Sequence, residues 1–240
     1  MLSGQITTFS ELAVAWREAE RESDRRAVWR MLARGGWFRA CKEAVQVGDQ
    51  ATLEIWLDEG DRTKQDIIQF NGADLAQMVH LYLLCSLVAC RIRSLASLDR
   101  GKALQETVAA ASASLGFCHD LTLALMGEPL CRAQKDVSMS VLLVETTRNE
   151  GVVATLMLEL IPDGKGDFYP VPELSFLRDP DFRQTEDNAR ECLQRMELWK
   201  REWNVRWRLQ RHDDKPVVNL TGPSLGAAFA LGLGKLFAEL

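Results

Sequence analysis

The stretch Val217 to Ala230, VVNLTGPSLGAAFA, decides how the second half of this chain is read. It opens with an apolar run, Val217 to Leu220, of the kind that makes a buried strand. It breaks at Thr221-Gly222-Pro223, where glycine permits a sharp turn and proline supplies the backbone angle of an early helical position. Small residues suited to close packing follow. The pattern predicts a strand, a turn at Thr221-Gly222 and a helix running to about Phe237, with Ser224 in its first turn and Gly226 and Ala230 facing a sheet. A serine there has two uses. As an N-cap it satisfies a free backbone N–H. As a nucleophile it lies beside free N–H groups and the positive end of the helix dipole, so that Gly222, Leu225 and Gly226 would cradle an oxyanion.

Outward from this stretch, the same half is written in strands and turns. Met139 to Glu145 and Val152 to Leu160 are apolar, β-branched runs of strand length, with Asn149-Glu150-Gly151 as a hairpin signal between them. Ile161 to Asp167 is rich in turn residues, Thr185 to Trp199 reads as a helix, and Asn204 to Gln210 alternates Val205, Trp207 and Leu209 with Arg206, Arg208 and Gln210. From Phe9 to Met126 the grammar is helical, and no proline occurs before Pro129. A first helical stretch ends at Gly35-Gly36. A helical hairpin, Trp37 to Val47 and Gln50 to Leu57, turns at Gly48-Asp49, and helices over Gly72 to Ser97 and Gly101 to Met126 complete a bundle. The fold class is therefore α+β, with an α-helical domain over residues 1–128 and an α/β domain over residues 129–240.

The order of elements in the second half resembles the proteolytic domain of Lon-type serine proteases. The resemblance covers residues 137–240 and rests on the strand pair Val141 to Leu160, the Asp163-Gly164-Lys165-Gly166 turn, the helix containing Ala189, the strand Val205 to Leu209 and Gly222-Pro223-Ser224-Leu225-Gly226. Leu225 departs from that family's alanine. The resemblance implies Ser224 as nucleophile and a lysine general base several tens of residues downstream. Only Lys235 follows Ser224, about 16 Å along the same helix at 1.5 Å per residue, far beyond hydrogen-bond reach. Lys165 and Lys215 serve only if the fold returns them to the serine. The apolar ending Leu236 to Leu240 is what a chain cut before its natural end would show. The expectation is a protein-interaction module with an inactive or incomplete Lon-type domain, in a bacterial multi-protein stress or antiviral defence system. The alternative is a Lon-like serine peptidase whose lysine comes from beyond residue 240 or from another subunit.

The remaining features narrow the partners. A net charge of −5 gives no global attraction to nucleic acid or anionic lipid. Trp199, Trp203 and Trp207 interleave with Lys200, Arg201, Arg206, Arg208 and Arg211, but the more ordinary reading buries the rings and leaves the arginines in solvent, which argues against nucleic acid. Glu145, Glu159, Asp163 and Asp167 match no calcium loop and are expected to be solvated. The six cysteines form no CxxC pair and no ligand spacing with His80, His119 or His212, so neither a metal nor a cofactor is expected. Met78 to Cys90 is too short and too interrupted to cross a membrane. Free thiols and the absence of a signal-peptide pattern predict the cytoplasm, and the partner expected is another protein.

Overall fold

A computed structural model describes residues 36–58, 73–94, 114–145, 150–217, 220–223 and 225–238. These form a mixed helix and strand architecture, and the chain divides into two compact units, Met1–Leu130 and Cys131–Leu240.

In the first unit, helix α1 (Gly36–Val47) stops at Gly48, whose φ of 74° is the left-handed value that closes a helix end. The N–H of Asp49 then bonds the carbonyl of Ala44 at 2.8 Å. The Asp49 carboxylate accepts from the N–H of Thr52 at 3.1 Å and so caps the helical residues 50–58, giving the hairpin that Gly48-Asp49 predicts. Helix α2 (Ala73–Ser94) buries Val79, Leu81, Tyr82, Leu83 and Cys85, positions that circle its axis, as expected of a central helix. Helix α3 (Leu115–Met126) begins at Ser114, whose Oγ accepts from the N–H of Phe117, and ends at the left-handed Gly127. The helix predicted from Gly101 is described from its cap at Ser114 onward. Its first part, like the helical stretch from Phe9 to Gly35, lies outside the described residues. The three labelled helices pack pairwise around Cys41, Val45, Tyr82, Cys85, Cys118 and Leu121.

The second unit is built on a four-stranded sheet of β1 (Lys135–Glu145), β2 (Glu150–Ile161), β3 (Phe168–Pro170) and β4 (Asn204–Arg211), in the order β1-β2-β4-β3. β3 runs parallel to β4, and the other pairs are antiparallel. Pairing of β1 with β2 continues without a break from Lys135 opposite Leu160 to Glu145 opposite Glu150. Glu150 and Gly151, expected in the turn, are thus strand residues, and the connection falls on residues 146–149, outside the described set. Alternation puts Val137 and Val141, Leu156, Leu158 and Leu160, and Val205, Trp207 and Leu209 on one face.

Helices α4 (Pro180–Arg195) and α5 (Gly226–Phe237) lie with that face. α5 packs on β1 and β2, and α4 packs on α5. The centre is aromatic: the Phe229 ring lies 5.4 Å from Trp207, 5.4 Å from Phe168 and 6.0 Å from Phe182. α4 begins at Pro180 and not at Thr185, because Asp179 accepts from the N–H of Phe182 at 2.7 Å and proline occupies the first helical position. It ends at Arg195, so Trp199 lies beyond it. The three-residue β3 and the 3-10 turn Pro172–Leu177 are too short to carry a periodic signal, and the sequence reading missed both.

Two further expectations change. Of the predicted strand Val217 to Leu220, Val217 is half-buried and outside any strand, Leu220 forms an isolated parallel bridge with Arg178, and residues 218–219 are outside the described set. Gly226 does not face the sheet: a Cβ there would lie 3.0 Å from Thr185 Cγ2 on α4. The glycine on the sheet is Gly232, where a Cβ would lie 2.5 Å from Leu158 Cδ1 and 2.7 Å from Met139 Cε. The helix starts at Gly226, later than the sequence suggests, and the buried set Phe229, Gly232, Leu233 and Leu236 fixes which face meets the strands.

Candidate functional site

The head of α5 is held by backbone pairing. Leu220 donates its N–H to Leu177 O at 2.7 Å and accepts from the N–H of Asp179 at 3.0 Å, which fixes the segment entering the Gly-Pro turn. Gly222 then takes a φ of 73°, a value that glycine adopts without strain. Gly226 donates its N–H to Pro223 O at 3.1 Å, so this N–H is engaged within the turn. Leu225 occupies the N-cap position without a side-chain cap bond and is buried. Ser224, the nucleophile named from the sequence, lies outside the described residues.

Beneath this turn is a polar cluster that the sequence reading did not find. Glu186, buried on α4, accepts from Trp207 Nε1 at 2.6 Å through Oε1 and from Arg178 Nη1 at 2.5 Å through Oε2. Arg178 also donates from Nε to Ser175 O at 3.3 Å. Burial pushes the Glu186 carboxyl above its usual range, and the charge and hydrogen bond of Arg178 and the Trp207 bond offset this only in part. The signal was present in the sequence. Phe182, Glu186, Ala189 and Leu193 form one helical stripe, and a glutamate within an apolar stripe marks a buried carboxylate. Starting the helix at Thr185 left Phe182 out and hid the stripe.

Lys165 and Lys235 lie away from this turn. Lys235 is exposed in the last turn of α5. Lys165 precedes Gly166, which lies against Trp199, and the Trp199 ring is 5.2 Å from Phe237. Both therefore belong to the C-terminal end of α5, roughly 15 Å along the helix from Gly226. Lys215 lies 3.5 Å from Asp213 in an exposed ion pair.

On the opposite face of the sheet, Glu159 accepts from Arg206 Nε at 2.8 Å and from Arg208 Nη2 at 2.8 and 2.9 Å. Burial raises its carboxyl, but the two guanidiniums outweigh that and hold it below the usual range. Glu159 and Arg206 were expected in solvent. Both are buried, and Arg206 Nη2 reaches Cys131 O at 2.9 Å. Trp207 and Trp199 are also buried, so their rings are not presented for base stacking. Further along this face Leu142, Val144 and Val153 are 66%, 63% and 44% exposed, with Leu142 directly opposite Val153. Among the described residues no helix is long and apolar enough to cross a membrane, and no group of three metal-ligating side chains converges. Comparison with known proteins found no family model, no curated protein and no solved structure that matches this chain.

Proposed function

We propose that this chain is a protein-interaction module that assembles through the sheet of its second unit and carries a Lon-like but inactive turn at Gly222 to Gly226. The observation that carries this reading is the exposed ladder Leu142, Val144 and Val153 on β1 and β2, large apolar side chains left in solvent at the border of the sheet. Inactivity is supported by the placement of Lys165 and Lys235 and by the engaged N–H of Gly226. The Lon-like fold, the bacterial stress or defence setting and the cytoplasmic location draw their support from the resemblance and the free thiols. The test is binding by the immobilised chain in extract of its native host, compared with Leu142→Lys/Val144→Lys. Retention of a protein by wild type that the double variant loses is the expected result. Retention of nothing by either, together with no self-association, would end the reading.

The second reading, a serine peptidase with Ser224 as nucleophile and its lysine from beyond residue 240 or another subunit, is favoured by the backbone clamp on Leu220 and the left-handed Gly222. A fluorophosphonate probe that labels the wild-type chain but not Ser224→Ala would replace the first reading with this one.

A further inference from the structure

We infer that the protein occupying the β1 border is a second copy of this chain, pairing β1 with β1 in antiparallel register about a two-fold axis at Ser140; this rests on the interaction reading above and names its partner. Among the described residues β1 has a strand neighbour on one side only, β2. Natural border strands are protected by short length, bulges, prolines or charges. β1 has none of these over its middle: it runs from Lys135 to Glu145, its pairing is uninterrupted, and from Val137 to Val144 it carries neither proline nor charge. Such a strand is a template for another strand, and an isologous contact requires that it complement itself.

It does so in one register. With Ser140 opposite Ser140, Lys135 falls opposite Glu145 of the other copy at both ends, and Met139 falls opposite Val141. Opposed residues share a face, so the ladders of Leu142, Val144 and Val153 from both copies line one continuous eight-stranded sheet. Full pairing of the strand supplies about ten backbone hydrogen bonds, the number in an interface of standard size.

Sedimentation velocity on the full chain at low salt, over a broad concentration range, should show a species of twice 27.0 kDa. Ser140→Lys, at an exposed position on the axis, should weaken the dimer at least about tenfold with an unchanged melting temperature of the dissociated chain. Lys135→Glu alone should weaken it by roughly fivefold, and Lys135→Glu/Glu145→Lys should restore it. Restoration by the double swap also controls for the bond from Lys135 Nζ to Leu236 O within one chain. A monomer at every concentration, a dimer indifferent to Ser140→Lys, or a double swap no tighter than Lys135→Glu would overturn the inference. A monomer that still loses a host protein on Leu142→Lys/Val144→Lys would overturn the second copy as occupant and leave the interaction reading standing.

Discussion

Gly232 and Gly234 lie in the same helix and differ in what surrounds them. A Cβ on Gly232 would meet Leu158 Cδ1 at 2.5 Å and Met139 Cε at 2.7 Å, whereas a Cβ on Gly234 would meet nothing within 4 Å. Replacing either glycine by alanine gains about 1 kcal/mol of helix propensity. At Gly234 that gain stands alone, so Gly234→Ala should be stabilised by up to about 1 kcal/mol. At Gly232 the added methyl must displace Leu158, which is fully buried, and overpacking of this kind costs about 1 to 3 kcal/mol. Gly232→Ala should then range from neutral to about 2 kcal/mol less stable than wild type. The gap between the two variants is the cleaner quantity, about 1 to 3 kcal/mol, because propensity cancels. Urea unfolding followed by tryptophan fluorescence measures it, and Trp207 and Trp199 are buried reporters in this unit. If Gly232→Ala were as stable as Gly234→Ala, the face of α5 assigned to the sheet would be wrong.

Gly164→Ala should lose about 3 kcal/mol or more, since its Cβ would collide with the backbone of Trp203 and Asn204 at the start of a strand paired on both sides; a melting temperature near wild type would refute this. Glu186→Gln should match wild type in acid and become relatively more stable as the pH rises. A carboxyl whose folded pKa is raised stabilises the native state below the unfolded value near 4.3, and that contribution is lost as the pH rises through the folded one, a slope that glutamine lacks. Thermal melts from pH 4 to 8 check it, and a large loss at neutral pH in the variant would mean that the Arg178 charge dominates. Among the thiols, exposed Cys192 should react at once with an aromatic disulfide reagent. Cys41, Cys85 and Cys118 should react only on unfolding, because burial pushes Cys41 up to about 12 and the Cys118 hydrogen bond together with burial pushes Cys85 well above its usual value. Rapid labelling of more than the exposed and half-buried thiols would contradict that packing.

Legibility followed the length of the signal. The alternation of Val205, Trp207 and Leu209 located β4, and Gly48-Asp49 located the helical hairpin, because each pattern repeats or uses a residue with few alternatives. Boundaries were lost where capping chemistry acts. Asp179-Pro180 is a helix start that periodicity alone passes over, and without it the stripe holding Glu186 was incomplete. The candidate site was half visible: Gly222 as a turn was legible, but which N–H groups of that turn stay free depends on the Pro223 to Gly226 bond, a tertiary detail. Arg206 looked like a solvated strand residue, but in the fold it is buried, bonded to Glu159 across the strands and to Cys131 O.

The sheet order also has a temporal consequence. β1 and β2 are adjacent in the chain, but the other neighbour of β2 is β4, which begins at Asn204 after the whole of α4. During synthesis at about 5 to 20 residues per second, the hairpin leaves the ribosome seconds before the strand that will close its inner border. For that interval β2 has an open border, as β1 has among the described strands. Two nascent chains on one message would then have two borders to choose between, and only the arrival of β4 removes the wrong one.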